Sequence, residues 1–180
     1  MTSQGAFVWA DSTTAPFAST AKNQFLVRAS GGITLYTNSF ATVGATLAAG
    51  SGSWSTLSDR DPKTNVVAVD PAIVLAGVVA LPISTWNYIS QEPAIRHMGP
   101  MAQDFAAAFG LGENATTIST VDAQGVALAA IQGIYGQNQT QAQQLDAQQQ
   151  LIAAQQQLLA EQEARLTALE QRVAALEAEK

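Results

Sequence analysis

Short apolar pieces recur through the first third of the chain. They are AFVWA at 6–10, NQFLVRA at 23–29, GITLYT at 32–37 and GATLAA at 44–49. Each alternates roughly between apolar and polar positions and is bounded by Gly, Asn or Ser. That pattern predicts short strands joined by tight turns. RASGG at Arg28–Gly32 predicts a bend with a glycine at positive φ. A handful of such strands cannot close a core alone and would gain stability by pairing with other copies.

The pattern changes after Leu57. DPAIVLAGVVALP predicts a helix capped by Asp70, with Pro71 in its first turn and Pro82 as its stop. ISTWNYI at 83–89 alternates and is β-branched and aromatic, which predicts a strand. GPMAQDFAAAFGLG predicts an amphipathic helix from about Pro100 to Phe109, closed by Gly110. ISTVDAQG at 118–125 reads as a short strand and turn.

The last third is helical in pattern. From Gln137 to Lys180 there is no Pro and no Gly. Heptads phase with a at Ile131, Asn138, Leu145, Ile152, Leu159, Leu166 and Val173. Position d then falls on Ile134, Gln141, Gln148, Gln155, Gln162, Leu169 and Leu176. The phase runs unbroken, which predicts a coiled coil over 137–180 rather than a Gln-rich disordered tail. RLTALE and RVAALE put Arg165 and Arg172 at g and Glu170 and Glu177 at e, where they face each other between parallel neighbours. This spacing resembles a trimerisation signature of short coiled coils and predicts a parallel homotrimer. Glutamines at d lower stability but penalise slipped registers.

Composition narrows the function classes. Net charge is −6 with no basic cluster, which argues against nucleic-acid binding. There is no cysteine and one histidine, so no thiolate metal site exists and no metal or other cofactor is expected. The longest apolar run, Ala72–Leu81, is too short to span a bilayer. The start carries no charged-then-apolar leader and no obvious cap, so the chain reads as a C-terminal fragment of something longer.

One stretch carries candidate chemistry. GSGSWSTLSDRDPKTNV at 50–66 runs from a Gly/Ser approach into Ser58, Asp59, Arg60, Asp61, Pro62 and Lys63. Taken alone, Ser58 or Asp59 reads as a turn cap. His97 in IRHMGPMAQD reads first as a structural hydrogen-bonder, and Trp54 and Trp86 as packing anchors.

The ordered set LSDRDPKTNV, LPISTWNYI, IRHMGPMAQDF and STVDAQGVALAAIQ resembles the C-terminal intramolecular chaperone domain of phage tailspikes and tail fibres. This is the self-cleaving peptidase family of endosialidase type. The resemblance implies a domain at 58–136 that trimerises its chain, aligns a preceding β-segment and then cuts itself off. It implies Ser58 as nucleophile, Lys63 as base and supporting roles for His97, Asp59 and Arg60, with Arg60 or Arg96 as a cation near the lysine. Attack by Ser58 on the Leu57 carbonyl closes a five-membered ring and attack on its own carbonyl a four-membered one, so the Leu57–Ser58 bond is the expected cut, with attack from a neighbouring chain as the alternative. Asp61 and Pro62 depart from the family's pattern; an Asp61–Lys63 pair would hold the amine protonated.

The expected architecture is α+β. An intertwined β-prism-like tip occupies 1–57, the chaperone domain 58–136 and a parallel trimeric coiled coil 137–180. The implied setting is a virion tail or cell-surface fibre assembled in the bacterial cytoplasm. Partners would be two further copies and, for the tip, a host-surface receptor or glycan. The alternative is an uncleaved structural fibre end.

Overall fold

A computed structural model describes residues 3–178. The chain divides into two compact units, 1–68 and 69–180. The architecture is α+β, with three small sheets and one long C-terminal helix.

In the first unit, the four alternating pieces form strands. β1 (Phe7–Ala10) pairs in parallel with β2 (Phe25–Arg28), placing Phe7 opposite Phe25 and Trp9 opposite Val27. β3 (Gly32–Tyr36), β4 (Gly44–Ala48) and β5 (Trp54–Thr56) form an antiparallel meander. β5 lies outside the four expected pieces; its register sets Trp54 opposite Leu47. Gly32 has φ of 97°, as the RASGG bend requires.

The ends of β1 and β2 are held by a polar clasp. Asp11 accepts hydrogen bonds from the backbone N–H groups of Ser30 at 2.6 Å and Thr13 at 3.1 Å. Arg28 Nε lies 3.4 Å from Asp11, and its outer nitrogens donate to the Thr13 and Ala15 carbonyls, both at 2.8 Å. The guanidinium also sits over the Phe17 ring. No described residue of this unit is buried, and Phe7 and Phe25 stack at 4.9 Å with both rings largely exposed.

The second unit carries the core. α1 (Pro71–Ala80) begins as the caps predict: Asp70 accepts from Ala72 N at 2.8 Å, and Pro71 fills the first turn. β6 covers only Ser84–Trp86 of the expected seven-residue strand, because the chain turns at Tyr88–Gln91. It pairs with an unforeseen strand, β7 (His97–Gly99). α2 runs Ala102–Phe109 and closes at Gly110, whose φ of 62° suits glycine. It starts two residues later than expected because Met101 is extended.

The expected strand and turn at 118–125 is a correction. α3 begins at Thr120 and continues to Ala178, through all of the described coiled-coil segment; residues 179 and 180 of that expectation lie outside the described residues. Ser119 Oγ accepts from Val121 N at 3.3 Å and Asp122 lies in the first turn. These cap features outweigh the β-branched run Ile118, Thr120 and Val121.

The buried core is small: Leu75 of α1, Phe105 of α2, and Val126, Ala129, Ala130 and Gly133 of α3. Small residues let α1 lie close on α3. Among the described residues the apolar seam positions Ile131, Ile134, Leu145, Ile152, Leu159, Leu166, Leu169, Val173 and Leu176 are all exposed.

Candidate functional site

Ser58 and Lys63 flank a tight turn that follows the meander. Leu57 N donates to the Gly44 carbonyl at 3.0 Å, so the β4–β5 ladder anchors the residue just before Ser58. The turn itself is local. Asp61 N donates to the Asp59 carboxylate at 3.3 Å, and Lys63 N donates to the Arg60 carbonyl at 3.0 Å. Pro62 stands inside this turn, where its missing N–H costs nothing.

The turn brings the two side chains together. Lys63 Nζ donates to Ser58 Oγ at 2.6 Å and approaches the Ser58 carbonyl oxygen at 3.3 Å. With a neutral amine the same contact can reverse, the hydroxyl donating to Nζ. That is the nucleophile–base geometry of a Ser–Lys dyad. Both residues are exposed. A lysine accepts a proton only when neutral, a state that burial favours.

The feared competitor is not engaged. Among the described residues the ion pair formed is Arg28–Asp11, and Asp61 forms none with Lys63. Asp59 serves the turn through its carboxylate, and Arg60 through its carbonyl.

His97 and Arg96 belong to the second unit, on the β6–β7 hairpin. His97 Nε2 lies 3.0 Å from Gln91 Oε1, and its ring packs 4.8 Å from Trp86 and 5.7 Å from Tyr88. Arg96 donates to the Thr85 carbonyl and hydroxyl, both at 2.8 Å, and to Asn87 at 3.3 Å. Within this unit His97 and Arg96 are therefore tied to their own hairpin. Gln91, the partner of His97, was not singled out from the sequence. Its role depends on a hairpin register (Trp86 opposite His97) that no spacing rule exposes.

The chain thus combines a long heptad-patterned helix with small sheets, and a serine–lysine pair in contact. Residues 58–111 match the family described as chaperone of endosialidase, and over this segment the chain resembles the endosialidase-type chaperone domain. The likeness supports a chaperone role and a phage-tail context. No curated protein and no solved structure matches the chain. No helix among the described residues is long and apolar enough to cross a membrane.

Proposed function

We propose that the chain is a self-cleaving intramolecular chaperone that joins three copies in parallel, aligns their β-segments as an intertwined prism and then cuts before Ser58. The observation that carries the reading is the 2.6 Å contact between Lys63 Nζ and Ser58 Oγ, inside the segment that resembles the chaperone family.

The need for partners has its own support. The heptad seam at Leu145, Ile152, Leu159, Leu166, Leu169, Val173 and Leu176 is exposed, and no described residue of the first unit is buried. Interlocked β-segments form slowly because their contacts are non-local and their register can slip. Three chains held by a coiled coil meet at high effective concentration and in one register. Removing the clamp afterwards leaves the fibre kinetically trapped.

Neutral Lys63 takes the Ser58 hydroxyl proton as Oγ bonds to the Leu57 carbonyl carbon. The Leu57–Ser58 C–N bond breaks, and the proton passes from Lys63 to the freed Ser58 amine. The resulting ester joins Leu57 to Ser58 Oγ. Water hydrolyses it, leaving a Leu57 carboxylate and a fragment that begins with Ser58. A lysine base predicts a rate that rises with pH.

Mass spectrometry of freshly made chain over time tests this. A C-terminal fragment starting at Ser58 is expected. A fragment starting at Asp59 overturns the ring-size argument, and a trimer intact for days overturns cleavage. The solvent exposure of the pair favours a second reading in that event: an uncleaved structural fibre end, with a receptor or glycan contacting the tip at 1–57.

A further inference from the structure

α1 is apolar on every side: Pro71, Ala72, Ile73, Val74, Leu75, Ala76, Gly77, Val78, Val79, Ala80. A helix hydrophobic all round is one that becomes covered all round. Within the chain only part of it is covered. Leu75 is buried, and Pro71 and Leu75 meet α3 at Gly133. Gly77 faces the Phe109 ring of α2. The edge formed by Ala72, Ala76 and Val79 stays open, with Val79 79% exposed.

The heptad phase says what lies beside that edge. α1 covers Val126, Ala129, Ala130 and Gly133 of α3, which are positions c, f, g and c. The opposite flank, position e, holds Val121, Leu128 and Tyr135, exposed by 40%, 65% and 65%. Further along, the e positions turn polar or small: Ala142, Gln149, Gln156, Glu163, Glu170 and Glu177. Large apolar residues thus occupy e only at the level of α1. In a parallel bundle the e flank of one helix faces the g flank of the next, and α1, seated on c and f, also covers Ala130 at g.

We propose that α1 docks in the groove between its own α3 and the α3 of a second copy, its Ala72–Ala76–Val79 edge receiving Leu128 and Tyr135 of that copy. This rests on the parallel-trimer reading above. The levels agree. α1 runs antiparallel to α3, with Pro71 beside Gly133 and Val78 and Leu81 near Ala123, Val126 and Ala127. Parallel copies place equal numbers at equal heights, so Ala72 meets the neighbour's Tyr135, and Val79 its Leu128. Small residues on α1 leave room for the large ones on α3. The Tyr135 hydroxyl already accepts from Gln139 Nε2 on its own helix, so the ring can enter the groove with its polar end satisfied. The result is a collar of three outer helices around three inner ones, and the trimer interface reaches up into the globular unit.

The chain has no cysteine, which makes a clean test. In the full chain, Val79→Cys with Leu128→Cys should close a covalent trimer on a denaturing gel after mild oxidation. Each chain offers residue 79 to one neighbour and residue 128 to the other, and a cut before Ser58 keeps both on one fragment. Ile73→Cys with Leu128→Cys is the control, since Ile73 lies on the other side of the exposed face; it should link at least tenfold more slowly. A trimer by light scattering with no 79–128 link, or with 73–128 linking as fast, overturns the docking and leaves the trimer standing. A monomer or dimer by light scattering sinks both. As a second measurement without cysteines, Leu128→Gln with Tyr135→Gln should speed amide exchange across 71–80 about tenfold at unchanged trimer mass. Unchanged exchange overturns the docking.

Discussion

Gly133 of α3 closes directly on Pro71 of α1: a Cβ at residue 133 would stand 2.5 Å from the Pro71 carbonyl oxygen and 2.9 Å from Leu75 Cβ. Both neighbours belong to packed helix, so neither can swing away. Alanine normally gains about 1 kcal/mol over glycine inside a helix. Here the clash reverses the sign, and Gly133→Ala should destabilise the second unit by about 1–3 kcal/mol. Gly136 has nothing within 4 Å of its would-be Cβ. Gly136→Ala should therefore stabilise by up to about 1 kcal/mol. Urea midpoints of the two variants should move in opposite directions; a shared direction would show that α1 does not press on Gly133.

Asp11 predicts acid sensitivity in the first unit. Hydrogen bonds from Ser30, side chain and backbone, and then from Thr13 hold its carboxyl well below the usual carboxylate range. A depressed folded-state pKa contributes stability that is complete above the unfolded value, near 3.8, and fades as pH falls below it. Amide protection factors across 7–10 and 25–28 should hold down to about pH 4 and drop as pH falls from there toward about 2. Asp11→Asn should flatten that dependence and lower protection at neutral pH. Identical pH profiles for wild type and variant would remove Asp11 from the clasp.

The sequence was legible where a local rule acts alone. Asp70 and Pro71 set the start of α1, Gly110 the end of α2, and alternation found β1 to β4. It misled at Ile118–Val121, where β-branched residues mask a helix start made by Ser119. It was silent on β5 and β7, each only three residues long and held by its partner strand rather than by its own pattern. At the site, the family resemblance, not the residues alone, implied Ser58 and Lys63, and the turn through Arg60 brings the two side chains together. The engagement of His97 by Gln91 and Trp86 needed the hairpin register, and the pairing of Gly133 with Pro71 needed the packing of two helices.

The dyad itself is tested by removing either half. Ser58→Ala removes the nucleophile and Lys63→Met the proton acceptor; each should leave the chain full length by mass, with cleavage reduced at least a thousandfold. That size follows from losing one member of a nucleophile–base unit. Neither residue lies on α3, so light scattering should still report a trimer. Asp61→Ala should change the rate little, because its carboxylate forms no ion pair with Lys63. A large acceleration would mean that Asp61 reaches Lys63 in the assembled state. Cleavage that persists in both Ser58→Ala and Lys63→Met would assign the cut to an outside protease.

The helix should matter most before the fibre exists. Deleting residues 138–180 removes every a and d position from Asn138 onward, including the paired Arg165–Glu170 and Arg172–Glu177 heptads. What remains of the seam is Ile131 and Ile134, too short a stretch to hold three chains at cellular concentration. No described residue of the first unit is buried, so unaligned strands with exposed Phe25, Phe40 and Trp54 should pair out of register and aggregate. Truncated protein is thus expected in the insoluble fraction. The full chain carrying Ser58→Ala should be soluble, because its clamp is present and cannot be cut away. Mature wild-type fibre, cleaved after assembly, should resist dissociation by dilution, since its release from the clamp follows register selection rather than preceding it. A truncated chain that reaches the same soluble trimeric state at the same yield would show that the β-segment aligns itself, and the helix would then be a stalk rather than a chaperone.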